Sequence, residues 1–235
     1  MFKSFSTCAL VVLLAACGAL KGRHAGPQLP HEPAGPVDRQ FPGKLYRVDE
    51  SRSELRILVY KGGPLARLGH NHVMVNRALR GEVKLADSGS GFSLNVPAAG
   101  FLVDDAQARR EEGADFGSEV SDDAKSGTLR NMLSAAVLDA DEFPAITIRS
   151  IAVASPNGAT GSGTMIATVA IEIAGHDSTI DVPFTVQSDS DQLAATGSFD
   201  VRQSQLGLTP YSLMLGALQV QDGMTIKFKI VALPG

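Results

Sequence analysis

Tryptophan is absent from the 235 residues, and aromatic residues make up only 6%. That leaves little surface on which to stack nucleobases. Basic residues are not in surplus: 21 Lys and Arg stand against 25 Asp and Glu, a net charge of −4. The electrostatic footprint of a nucleic-acid binder is therefore missing. Cysteine is scarce, with Cys8 and Cys17 alone, enough for one disulfide at most and too little for a thiolate metal centre. No apolar run approaches the roughly 20 residues of a spanning helix. There is no G-x-S-x-G motif, and the serines of "SGSG" and "TGSG" read as turn residues. What remains is a chain 44% hydrophobic, sufficient for one domain with its own core.

The N-terminus reads as an export signal. "MFKSFST" is followed by a short apolar core, "CALVVLLAA", which ends in "LAAC", Leu14 to Cys17. This ending resembles the lipobox of bacterial lipoproteins, in which the Cys is acylated and becomes the new N-terminus. The expected layout is a signal peptide at 1–16, a lipid anchor on Cys17, and a Pro- and Gly-rich tether over 17–43. Cys8 leaves with the signal. On the lipobox resemblance, Gly18 after the Cys implies sorting to the periplasmic face of an outer membrane. As a flexible coil the tether spans roughly 25–30 Å, and His24 and His31 within it read as solvated.

From residue 44 to 235 the pattern is one of strands. Leu55, Ile57 and Val59 alternate with polar neighbours after a polar break at Asp49 to Ser53. Later segments such as "PAITIRSIAVAS", "TMIATVAIEIA" and "GMTIKFKIVALP" are separated by Gly, Asn, Asp and Ser clusters. Sequential antiparallel pairing is the natural topology, and eight or so strands close best into a barrel. In "TMIATVAIEIA", Met165, Ala167, Val169, Ile171 and Ile173 share one face. The mixture of small and large residues can leave room inside such a barrel. One helix interrupts the strands. Leu129, Met132, Leu133, Ala136 and Val137 fall on one helical face, with Ser126 as the expected cap and Pro144 beyond the end. Such a helix would cover one opening of the barrel or pack on its wall.

Several segments then resemble the YceI-like family in order and spacing. They are "YRVDESRSELRILVYKGGPLARLGHNH", "NMLSAAVLDADEFPAITIRS", "TVAIEIAGHDSTIDVPFTV", "GSFDVRQSQLGL" and "VQDGMTIKFKIVA". Together they span roughly residues 45 to 233. "GHNH" is shared with only part of that family, and the resemblance implies a GHNH-containing lipoprotein subgroup. The resemblance implies a lipocalin-like, antiparallel eight-stranded barrel with a short helical insert covering one opening. It also implies an elongated apolar cavity for a quinone- or polyprenyl-type isoprenoid lipid, with no other cofactor and no enzymatic activity. The partners it implies are an isoprenoid lipid and, through Cys17, a membrane. The oligomeric state is left open, a dimer included. The wall residues expected from alternation are Phe101, Met132, Ile148, Met165, Val169, Ile171 and Phe184. His70, His72 and Arg202 are candidates for the cavity mouth.

Two alternatives stay open at this level. His70 and His72, two apart on a strand, project to one face and can pair on a metal if His176, Asp104 or Asp105 joins them. The carrier reading also competes with a protein-interaction scaffold whose barrel is filled. The carboxylate pairs Asp104-Asp105, Glu111-Glu112 and Asp122-Asp123 read as a solvated, charged insert rather than as acid/base machinery.

Overall fold

The computed structural model describes residues 43–86, 89–155 and 163–235. The signal peptide, Cys17 and all but the last residue of the expected tether lie outside the described residues.

Alternating side chains build β1 (Lys44–Val48), β2 (Glu54–Gly62), β3 (His72–Asn76), β4 (Arg80–Leu85), β5 (Gly91–Pro97) and β6 (Phe101–Val103). They are followed by β7 (Ala145–Ala154), β8 (Gly163–Ile173), β9 (His176–Ser188), β10 (Leu193–Arg202), β11 (Ser212–Leu213) and β12 (Leu218–Pro234). All pairings are antiparallel, and β12 pairs back onto β1. The closed ring is β1-β4-β5-β7-β8-β9-β10-β12, an eight-stranded barrel. β2, β3 and β6 prolong three of these staves beyond local breaks. β2 follows β1 along β12, β3 pairs with β2 and leads into β4, and β6 continues β5 beside β3. Taken with their extensions, the staves follow one another in sequence order around the ring.

The breaks are held by polar side chains that replace ladder bonds. Asp49 caps a 3-10 turn at Glu50–Arg52 by accepting the Ser51 N–H at 3.0 Å. Ser53 Oγ then accepts the Val231 N–H at 3.0 Å. At the β3–β4 kink, Asn76 Oδ1 accepts from Ala78 N–H at 2.9 Å, and its Nδ2 donates to the Pro97 carbonyl at 2.8 Å. β8 and β9 are joined by Ala174 and Gly175, with φ of +49° and +73°, the two left-handed residues of a type I′ hairpin. A Cβ on Gly175 would stand 2.7 Å from the Phe143 ring.

The strands run between two distinct ends. The β4–β5, β7–β8 and β9–β10 hairpins gather at one end with Lys44. Gly235 is there too, its N–H donating to the Leu45 carbonyl at 3.0 Å. The β2–β3, β8–β9 and β10–β12 connections and the insert of residues 104–144 lie at the other end. In the insert, α1 (Ala106–Glu111) is capped by Asp105, which accepts the Ala108 N–H. It seals a second core of Leu58, Val73, Val75, Ala108 and Phe116 on the outer face of β2 and β3. Arg56 clasps it through Glu111 at 2.6 Å and Glu112 at 3.1 Å, and Lys227 also pairs with Glu112.

α2 (Asp122–Leu133) differs from the sequence expectation at both ends. Ser121, not Ser126, is the cap, its hydroxyl accepting the Ala124 N–H. Asp122 and Asp123 occupy the first turn, where the helix dipole favours acid, so the start moves ahead of the apolar stripe. Ser134 leaves helical geometry, with ψ of 165°, and Ala136 and Val137 therefore sit in a turn. Met132, Leu133 and Val137 still pack against the main core, and Leu138 is buried within it.

Candidate functional site

The barrel is hollow. A cavity of about 810 Å³ runs along its interior, toward the upper end of the range for small-molecule sites. Its walls are the inward faces of the staves, including Leu55, Ile57, Phe199, Ile226 and Phe228. The inward residues of β8 show how the space is graded. Gly163 and Met165 are half-buried, whereas Ala167, Val169, Ile171 and Ile173 are buried. On β9, Ile180, Val182, Phe184 and Val186 all line the cavity and remain half-buried. Side chains on the inside of a packed barrel would lose all contact with solvent; these keep surface because the space before them is empty. The scaffold reading, which needs a filled barrel, is therefore corrected.

Among the described residues, the cavity opens among the hairpins beside Lys44, where Ala86, Gly89, Ser90 and Ser155 line it. The deep end is closed by buried Ile173, Val201, Leu206 and Met224. Among the described residues, Lys44 is the one ionic side chain on the cavity lining. Its ammonium stands 4.9 Å from the centre of the Tyr46 ring.

The expected wall residues divide. Ile148, Met165, Val169, Ile171 and Phe184 line the cavity. Phe101 does not: β6 belongs to the end where the insert lies, and Phe101 is buried in the main core, 2% exposed. Met132 does not either, because it packs from α2 against that same cluster. Arg202 ends β10 at the closed end with its side chain exposed, far along the stave from the mouth. The turn after it is anchored by neighbours instead. Asp222 accepts from Ser204 N–H at 2.8 Å and Oγ at 2.6 Å, and Gln203 Nε2 donates to the Gln221 carbonyl at 2.8 Å. Phe199 and Phe228 were legible from the same alternation as the named wall residues, but were not singled out by it.

His70 and His72 also lie at the closed end and do not line the cavity. Their ring centres are 6.1 Å apart, edge to face. His72 Nδ1 is 2.6 Å from Asp104 Oδ2. Asp104 Oδ1 accepts the Val73 N–H at 3.0 Å and Arg109 Nη1 at 2.5 Å. Arg109 also donates to the carbonyls of Asn71 and Ser118. Asp104 is 1% and Arg109 7% exposed, so this ion pair is out of reach of solvent. Burial pushes the Asp104 carboxyl up, but His72, the Val73 N–H and Arg109 outweigh it and hold the carboxyl below its usual range. Burial, then the nearby His72, Arg109 and Lys61, lowers the His70 pKa. His176 is not brought to this pair. It begins β9 against Gly207, and β10, β12 and β2 stand between it and β3. Among the described residues no group of His, Cys, Asp and Glu is arranged to hold a metal ion, and the alternative set of His70, His72 and His176 is not brought together.

The family model described as the YceI-like domain matches residues 46–232. The structure of BcnA from Burkholderia cenocepacia is similar at 17% identity and a TM-score of 0.56, over 78% of this chain and 98% of that one. A structure described as a polyisoprenoid binding domain from Saccharophagus degradans, implicated in plant cell wall breakdown, is similar at 11% identity and a TM-score of 0.53. That match covers 81% of this chain and 98% of the other. No curated protein matches the chain in sequence.

Proposed function

Because the chain belongs to the YceI-like family, we propose that it is an exported lipid-binding protein that holds a quinone- or polyprenyl-type isoprenoid chain in its barrel. The observation that carries this reading is the apolar cavity of about 810 Å³, which among the described residues is open at one end and closed at the other. An isoprenoid tail is a run of branched hydrocarbon that fits such a channel end-on. Each buried methylene adds about 0.8 kcal/mol, so a few isoprene units offset the cost of association. Holding a tail in this way asks for no catalytic group. The polyisoprenoid binding described for the Saccharophagus degradans domain supports the same ligand class. In this reading the tail lies against Ile148, Val169, Ile171 and Phe184, and the head stays near Lys44 at the mouth. The signal-like N-terminus and Cys17 support export and lipid anchoring, with Gly18 favouring the periplasmic face of the outer membrane.

The test is extraction of the purified full-length chain, followed by mass spectrometry of what it releases. A non-covalent prenyl lipid near one per protein is the expected result. Protein that carries none, and takes up no added prenylquinone or polyprenyl phosphate, would sink the reading.

A further inference from the structure

At the closed end, two loops turn large apolar side chains outward. Leu68 is 61%, Leu213 45%, Met214 71% and Leu215 108% exposed. The loops are joined: Leu65 N–H donates to the Ala217 carbonyl at 2.7 Å. A Cβ on Gly63 would stand 2.6 Å from the Gly216 carbonyl oxygen. The four side chains thus belong to one projection, and Leu215, with nothing packed over it, is its tip. The backbone is strained to form it. Met214 and Leu215 have φ of +52° and +56°, a left-handed region that bulky residues seldom occupy. The strain is held in the turn of residues 214–217 that joins β11 to β12, where Leu213 pairs with Leu218, and it places two bulky side chains at the outermost positions of that turn.

We propose that this projection is a membrane-docking tip that inserts Met214 and Leu215 into a lipid surface bearing anionic headgroups. The charge pattern selects the occupant. Residues 206–219 contain no ionic side chain, and residues 62–69 contain Arg67 alone. Neither loop holds an acidic residue, although acids outnumber bases along the chain. Exposed Arg67 beside Leu68, and Lys61 just before the loop, form a basic shoulder, and half-buried Tyr211 adds an amphipathic ring. An apolar point with a basic rim is the pattern of interfacial insertion. A protein partner fits less well. A standard interface uses about 20–30 residues a side, whereas this is a convex point of four exposed side chains. The tip lies at the opposite end from the cavity mouth, so it is a separate element and stands whether or not the cavity holds lipid.

The absence of tryptophan makes the test local. A Leu215→Trp full-length chain carries a single reporter at a position where the side chain meets nothing. Ile151→Trp, at an exposed position on the barrel wall, is the control, because an N-terminal anchor would act on both chains alike. With vesicles of equal parts phosphatidylglycerol and phosphatidylcholine, the tryptophan emission of the Leu215→Trp chain is expected to shift to the blue and be quenched by brominated acyl chains. The Ile151→Trp chain is expected to stay unshifted. Adding Arg67→Glu to the Leu215→Trp chain weakens vesicle affinity by about fivefold or more, and Met214→Asp weakens it by roughly 10- to 100-fold. No shift at position 215, or an equal shift at 151, overturns the proposal. A blue shift that needs no vesicles and grows with protein concentration also overturns it, in favour of self-association.

Discussion

Asp104 is the residue on which the closed end turns. It sits at φ of +56°, accepts from Val73 and faces both His72 and Arg109. Asn tolerates the same left-handed backbone, so Asp104→Asn removes the charge without adding strain. Arg109 would then be buried without its partner. The expected loss is about 3–5 kcal/mol, measured as a fall in the urea midpoint; a loss below about 1 kcal/mol would show that Arg109 finds a new partner. The two shifted groups of this cluster, His70 and Asp104, also contribute to how stability falls on acidification. The lowered pKa of His70 means that the unfolded chain takes up a proton there before the folded one does. Stability therefore begins to decline as pH drops below about 6.5. The contribution of Asp104 is present above its unfolded value near 3.9 and is lost as pH falls through its lower folded value. Thermal midpoints across pH should show the first limb flattened in His70→Gln and the second retained. Little of this cluster was legible. The sequence offered His176, ahead of Asp104 and Asp105, as the companion of the histidine pair. Only the three-residue β6, too short to carry a pattern, places Asp104 beside β3.

At the scale of elements, a strand was legible where its two faces meet different surroundings. β7 to β10 and β12 read cleanly because one face borders the cavity and the other water. The break between β1 and β2 was legible as the polar run Asp49 to Ser53, whereas the kink between β3 and β4 was harder to read, since Asn76 is polar yet buried and acts as a ladder substitute. In α2 the apolar spacing ran past the helix into a turn, because Val137 and Leu138 stay core-facing after the hydrogen bonding stops. Gly197 shows a constraint that alternation does not reveal. It lies on β10 opposite Phe228, and a Cβ there would stand 2.5 Å from that ring and 2.8 Å from the Pro183 carbonyl oxygen. The missing side chain is what lets Phe228 lie along the wall. Gly197→Ala is expected to cost about 1–3 kcal/mol and to push the Phe228 ring into the cavity. Reduced uptake of prenyl lipid alongside a lower thermal midpoint would register both effects, whereas unchanged uptake would show that the ring moves elsewhere.

At the scale of the whole molecule, the hollow barrel separates stability from occupancy. Ala195 lines the cavity and is only half-buried, so a larger side chain has space to enter. Ala195→Phe is expected to keep the thermal midpoint of the empty protein and to lose binding of a prenyl lipid. Native protein with such a ligand at 100 times its dissociation constant should gain about 2.7 kcal/mol, seen as a rise in thermal midpoint that Ala195→Phe does not show. A collapse of the variant on heating would mean the cavity is too tightly shaped to be filled this way. The stitching of Gly235 to Leu45 has a practical consequence. Any reporter or affinity handle fused after Gly235 emerges at the rim of the cavity and acts as a stopper over it. A handle spliced into the exposed segment around Gly113, in the insert at the opposite end, leaves the entrance clear. Joining the two rim ends and reopening the chain there would give a circular permutant whose new termini point away from the entrance.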